Sequence, residues 1–199
     1  MREFITKVII FSAICGAVIF AVFAFADGKS DAFYLKFTTP RQHAFILGTS
    51  KSAQGLQPEI FNEIIYPENE SHFYNYSFSV ADSPYGPVYL ESIKRKLDPS
   101  TKNGIFVLTV DPWSISSMKE DTANGVYFGE EKGVLSNLRC VSMNPNIFYF
   151  LNSYQSSYFQ IILNSKTQKR EFLKKDGWLE IRVPMDSASV LERTNVKLD

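Results

Sequence analysis

Histidine is almost missing from this chain of 199 residues: it occurs twice, at His43 and His72, and neither has metal-ligand spacing around it. Cysteine is as scarce. Cys15 lies in an apolar run and Cys140 stands alone in the rest, so no internal disulfide forms there. Charge imbalance is missing too. With 21 basic and 21 acidic residues the net charge is 0, which leaves no electrostatic footprint for nucleic acid. There is no internal repeat and no low-complexity tract. A composition of 45% hydrophobic and 21% charged residues excludes a disordered chain. The length suits one domain of ordinary size plus an anchor.

What the chain has in quantity is aromatic rings, 17 Phe and 10 Tyr. These predict a bulky core, with some rings left for a membrane surface or a partner. The other abundance is local. Arg2 and Lys7 precede an apolar run from Val8 to Phe25, "VIIFSAICGAVIFAVFAF". At about 1.5 Å per residue the run just crosses a hydrocarbon layer of roughly 30 Å. Basic residues before it and Asp27 after it favour an inside amino terminus and an exported domain. Ala24-Phe25-Ala26 also fits a signal-peptidase site. Anchor and cleaved signal both stand, and the length of the run favours the anchor. Cys15-Gly16 is similar to a lipoprotein acceptor, but Ile14 precedes it poorly and the run continues well past it.

The remainder divides into a linker over 27–43 and an α/β domain over 44–199. "DGKSDAFYLKFTTPRQH" reads as the linker, with one short extended piece. "AFILG" reads as a buried strand ended by Gly48. "PEIFNEII" opens on Pro58 with an acid beside it, as a short helix does. "HFYNYSFS" alternates as a second strand. Ser83-Pro84 caps a helix over "PYGPVYLESIKRKL", with Tyr89, Ile93 and Leu97 at helical spacing. Its basic end, Lys94-Arg95-Lys96, reads as a solvated helix terminus suited to the dipole. "NGIFVLTVDPW" is a third strand, continuously apolar and stopped by Pro112. "NPNIFYFLNSYQSSYFQIILN" predicts an aromatic helix, "GWLEIRVP" a short strand or hairpin arm, and "SASVLERTNVKLD" a polar end.

Strand, helix, strand, helix, strand predicts a parallel sheet covered on both faces, a three-layer α/β/α arrangement of the flavodoxin-like kind. Three good strands and one doubtful one are counted where such a domain has five or six, so the sheet reads as incomplete. Ligands in such sheets bind outside the carboxyl ends of the strands. Ser50, the segment after Asn75, and Asp111-Pro112-Trp113 all fall at that edge.

Those residues carry a resemblance. "LGTSKSAQG" resembles the first block of the SGNH/GDSL hydrolases, in which the catalytic Ser ends the first strand; Ser50 takes that place, with Thr49 where the family has Asp. "NYSFSVADS" resembles the second block, which supplies a backbone N–H to the oxyanion hole; Asn75 opens it and Val80 stands where the family has Gly. "VDPWSIS" is unlike the usual third block. It is similar to the Pro-x-Trp segment of the DltD-like branch, membrane-anchored extracytoplasmic proteins linked to D-alanylation of teichoic acids. The resemblance covers about residues 44 to 116. It implies that Ser50 is a nucleophile, that Asn75, Val80, Asp111 and Trp113 line an oxyanion and substrate cleft, and that no cofactor or metal takes part. The family's Asp-x-x-His pair has no counterpart here, and both histidines precede the strands they adjoin. The missing block then belongs to sequence outside this chain, or the protein is no hydrolase alone.

Each feature has a plainer explanation. Residues 48–52 make a strand-to-helix loop, Asn75 bonds a strand edge, and Asp111 and Trp113 close a strand. His43 and His72 are surface or capping residues, and the rings from Phe148 to Phe159 form core or a partner face. Two functions are therefore expected. The first is a membrane-anchored SGNH-like protein acting on acyl esters of envelope polymers, by hydrolysis or acyl transfer. The second is a non-catalytic or truncated envelope protein that binds a glycan or a membrane acyltransferase.

Overall fold

Four consecutive apolar residues, Ala44 to Leu47, form β1 (Ala44–Leu47), and all four are buried. A strand so buried must satisfy its backbone N–H and C=O groups along both edges. On one side β2 (Phe73–Asn75) pairs parallel to it, Ala44 opposite Phe73; on the other β3 (Phe106–Leu108) pairs parallel, Phe45 opposite Phe106. The sheet order is therefore β2-β1-β3. This computed structural model describes residues 1–26, 28, 30–65, 72–82, 85–115, 133–136, 138–154, 161 and 171–198.

Alternation sorts the β1 side chains onto two faces. Phe45 and Leu47 join the larger core with Tyr76, Phe78 and the inward residues Tyr89 and Ile93 of α4 (Pro87–Lys96). Ala44 and Ile46 pack instead with Phe73, Val107 and Phe61, the last on α3 (Pro58–Ile65). Each large apolar side chain so buried contributes about 1.5–3 kcal/mol. The protein thus contains a small parallel sheet with helices, preceded by the apolar α1 (Arg2–Ala24). That helix is long and apolar enough to span a membrane or to serve as a signal sequence.

Several readings of the sequence need correction. The linker is not one. Tyr34–Phe37 is a 3-10 turn, and Tyr34, Lys36 and Phe37 are buried in the larger core. A segment with three aromatic rings in five residues has too much apolar surface to remain in solvent. The second strand does not alternate in burial: 73–78 is buried throughout, and Tyr76 N–H and Phe78 N–H still follow β1 by bonding Ile46 and Gly48 carbonyls. The third strand is not covered. Phe106 and Leu108 are exposed: β3 is the sheet edge among the described residues, and their side chains line an open groove beside α4 that no described element fills.

Gly86 precedes Pro87 as the N-cap of α4; the predicted Ser83-Pro84 cap lies outside the described residues. Lys96 is fully buried rather than solvated, whereas Lys94 on the same turn pairs with Glu91 at the surface. The aromatic helix appears as α5 (Ile147–Asn152), and the reading beyond 154 falls largely outside the described residues. The predicted hairpin arm is β5 (Leu179–Ile181), antiparallel to β4 (Glu171–Leu173). The polar end is helical, as α6 (Ser187–Leu198).

Candidate functional site

Gly48 makes the turn at the end of β1. Its φ is +150°, and a Cβ there would strike Thr109 Oγ1 and stand 2.5 Å from Ser52 Oγ. Only glycine fits that approach. Thr49 follows in extended conformation as N-cap of α2 (Ser50–Gly55), so Ser50 is the first helical residue. Its neighbours Thr49 and Ser52 are buried, and Ser50 itself is exposed. The serine therefore stands at the carboxyl-end rim of a parallel strand, beside the residues that follow β2 and β3.

Hydrogen bonds fix α2 from below. The Asn75 amide donates to Ser52 O at 2.8 Å and Leu56 O at 3.0 Å, and its oxygen accepts from Ser77 N–H. The Ser52 hydroxyl lies within hydrogen-bond reach of Thr49 O and Ser77 Oγ, both at 2.9 Å. Trp178, in the turn joining β4 to β5, donates its ring N–H to Gln54 O. Asn75 is fully buried with both amide N–H groups committed, so it positions α2 and presents no donor to the cleft. Val80 lies half-buried in the turn at 80–82, after the buried run 73–78.

Asp111 is the carboxylate tied to this turn. Its Oδ2 accepts from Thr49 Oγ1 at 3.1 Å and lies 4.0 Å from Lys51 Nζ. Its Oδ1 accepts the backbone N–H of Trp113 and of Ser114. The Ser114 N–H chiefly holds its carboxyl below the ordinary value, partial burial opposes, and Thr49 and Lys51 add to the lowering. A carboxylate so stabilised is ionised at neutral pH and a weak base. Trp113 exposes most of its ring at the same rim.

The histidines are elsewhere. His43 immediately precedes β1, where Nδ1 bonds Thr101 Oγ1 at 2.8 Å, and His72 immediately precedes β2. Both stand at the amino ends of strands whose carboxyl ends carry the Ser50 rim. No imidazole of this chain adjoins Ser50. Among the described residues no three His, Cys, Asp or Glu side chains gather in a way that could hold a metal.

An open apolar groove of about 590 Å³ runs between α4 and the exposed edge of β3, lined by Leu47, Tyr85, Tyr89, Leu90, Phe106 and Leu108. Tyr85 and Tyr89 shape its floor through their hydroxyls. The Tyr85 hydroxyl lies 3.1 Å from both Leu47 O and Thr109 O, and Tyr89 donates to Tyr76 O at 2.6 Å while accepting Gly48 N–H. Burial pushes both phenols up.

Two lysines are buried with their ammonium groups on oxygen acceptors, and the sequence marked neither as buried. Lys36 lies beneath the segment that follows β2, and Lys96 lies near Gln42 at the amino end of β1. Lys36 Nζ donates to Asn75 O, Ser77 O and Gly177 O at 2.7–2.8 Å, joining the segment after β2 to the β4–β5 turn. Gly177, at φ +83°, lets that turn approach the Asn75 carbonyl, which a Cβ would strike. Burial draws the Lys36 ammonium well below its ordinary value. Lys96 Nζ donates to Thr39 O at 2.6 Å, Thr39 Oγ1 at 2.9 Å and Val141 O at 2.7 Å. Comparison with protein-family models, with curated proteins and with solved structures found no match.

Proposed function

We propose that this is a membrane-anchored, exported SGNH-like protein of the DltD-like type, which takes acyl groups from esters of envelope polymers onto Ser50. One observation carries the reading: Ser50 is exposed at the carboxyl end of β1, directly after the turn that Gly48 makes possible. In that step Ser50 Oγ attacks the ester carbonyl, its proton passes to a base, and the alcohol leaves with a proton returned by that base. A second acceptor, water or a sugar hydroxyl, then releases the acyl group. Backbone N–H donors at such a rim typically contribute about 2.7–4 kcal/mol each to the transition state. The apolar groove that begins at Leu47 supports an acyl substrate, since pockets of roughly 300–1,000 Å³ suit small ligands.

Among the described residues neither histidine adjoins Ser50, and the carboxylate nearest the turn, Asp111, is a weak base. General base catalysis is typically worth about 10²–10⁴-fold, so acyl transfer to Ser50 without such a base is slow by that factor. A test is hydrolysis of an O-acetylated polysaccharide by the full chain, with wild type and Ser50→Ala compared under identical conditions. A rate lost in the variant supports the mechanism; equal rates remove it.

The position of both histidines at the opposite strand ends favours a second reading, a non-catalytic envelope protein that uses the same rim to bind a glycan or a membrane acyltransferase. In that case Ser50→Ala leaves binding of the glycan intact and neither form turns it over.

A further inference from the structure

We infer that α5 is a membrane-contacting foot, which holds the domain against the bilayer face from which α1 emerges. The inference rests on the anchor reading of α1 and adds to it a second, lateral contact with lipid.

The last turn of α1 is built into the domain. Val22, Phe23 and Ala26 pack against the larger core, and the Phe23 ring stacks on Phe150 of α5 with centroids 3.9 Å apart. Phe25 N–H and Ala26 N–H bond back to Val22 O and Phe23 O, so the helix passes into the domain without an extended spacer. Cleavage after Ala26 would strip Phe23 from Phe150, which argues for retention of the helix. A helix of 23 residues is about 34 Å long at 1.5 Å per residue, against a hydrocarbon layer of roughly 30 Å. Its last turn therefore lies at one membrane interface, and the stacked rings place α5 at the same depth.

The exposed side of α5 fits that environment. Tyr149 and Phe150 point inward and are buried. Ile147, Phe148 and Leu151 point outward, with Leu151 72% exposed. Phe25, the residue after α1, is 77% exposed and follows directly on the turn that packs against α5. Four large apolar side chains at the mouth of an apolar helix are costly in water and stable at the headgroup–acyl boundary, where interfacial helices bury an apolar face by about 5–10 Å. Asn146 and Asn152 bracket the helix with polar groups. Asn146 caps its start through Tyr149 N–H, and Asn152 donates to Phe148 O. The partner is the acyl region of a lipid bilayer.

The test uses the full chain in phosphatidylcholine vesicles with and without bromine on the acyl chains, which quenches indole only on contact with lipid tails. Two variants, Phe11→Trp in α1 and Leu151→Trp in α5, are compared with wild type, whose Trp113 and Trp178 set the background. Both positions are exposed, so neither substitution disturbs the core. The expected result is a gain of blue-shifted emission in both variants that brominated lipid removes. Quenching of the added indole in Phe11→Trp but not in Leu151→Trp overturns the foot and leaves the anchor. Absence of quenching in Phe11→Trp overturns the anchor, and the foot with it.

Discussion

Replacing Lys96 by Met tests whether the buried lysines titrate as their surroundings demand. Lys96 is fully buried, and burial draws its ammonium from an ordinary 10.5 down to about 7. The unfolded lysine keeps its proton up to about 10.5, so between pH 7 and that value the unfolded state binds the extra proton and stability rises with pH. From pH 7 to pH 9 a group with those two values contributes about 2 kcal/mol of rising stability, at 1.36 kcal/mol per unit of full proton difference. Lys96→Met abolishes that slope. It also leaves Thr39 O and Val141 O without their donor, about 1–3 kcal/mol each and so roughly 2–6 kcal/mol for the pair. Urea unfolding of the full chain in detergent micelles, followed by Trp113 and Trp178 emission at several pH values, measures both effects. The Lys36 contribution has the same sign but is common to both proteins and cancels in the difference. Parallel curves for wild type and Lys96→Met from pH 7 to 9 would refute the reasoning; the three acceptors would then be holding a permanent ammonium.

Further predictions concern the turn and its supports. Gly48→Ala should destabilise the fold by more than about 1 kcal/mol, because the backbone there is at positive φ and the new Cβ meets Thr109; a melting temperature equal to wild type would contradict it. Asn75→Ala strips donors from the carbonyls of Ser52 and Leu56 and should cost about 2–6 kcal/mol in urea unfolding, with α2 losing amide-exchange protection first. The folded Asp111 carboxyl is held below its ordinary value, so its contribution to stability is present above the ordinary carboxylate range and fades as pH falls through the folded value. Asp111→Asn should therefore flatten the acid limb of the thermal stability profile, and an unchanged limb would count against the contacts to Ser114 and Thr49.

Local patterns in the sequence were a good guide wherever one short segment decides its own structure. The apolar run before Gly48, the Pro58 start of α3 and the helical spacing of Tyr89 and Ile93 each translate directly into β1, α3 and the inner face of α4, while Leu97, the third residue of that spacing, is the extended C-cap. Features decided by tertiary neighbours were hidden. Lysine is ordinarily a surface residue, and nothing in "YLKF" or "IKRKL" reveals that carbonyls from distant segments converge on Lys36 and Lys96. An apolar strand such as β3 looks the same in sequence whether covered or at an edge. At the rim, the placement of Ser50 and Asp111 near one turn followed from strand direction, whereas the inward commitment of Asn75 depends on where the α2 carbonyls point. The opposite placement of the histidines also followed from chain direction.

Exposure of Ser50 at the strand rim is the core of the account, and acylation at that atom is its most direct readout. The full chain is treated with an activated acetyl ester, digested, and the acetyl adduct located by peptide mass spectrometry. The account predicts an adduct on Ser50 that Ser50→Ala lacks. An adduct confined to lysines or the amino terminus, identical in wild type and variant, would contradict it.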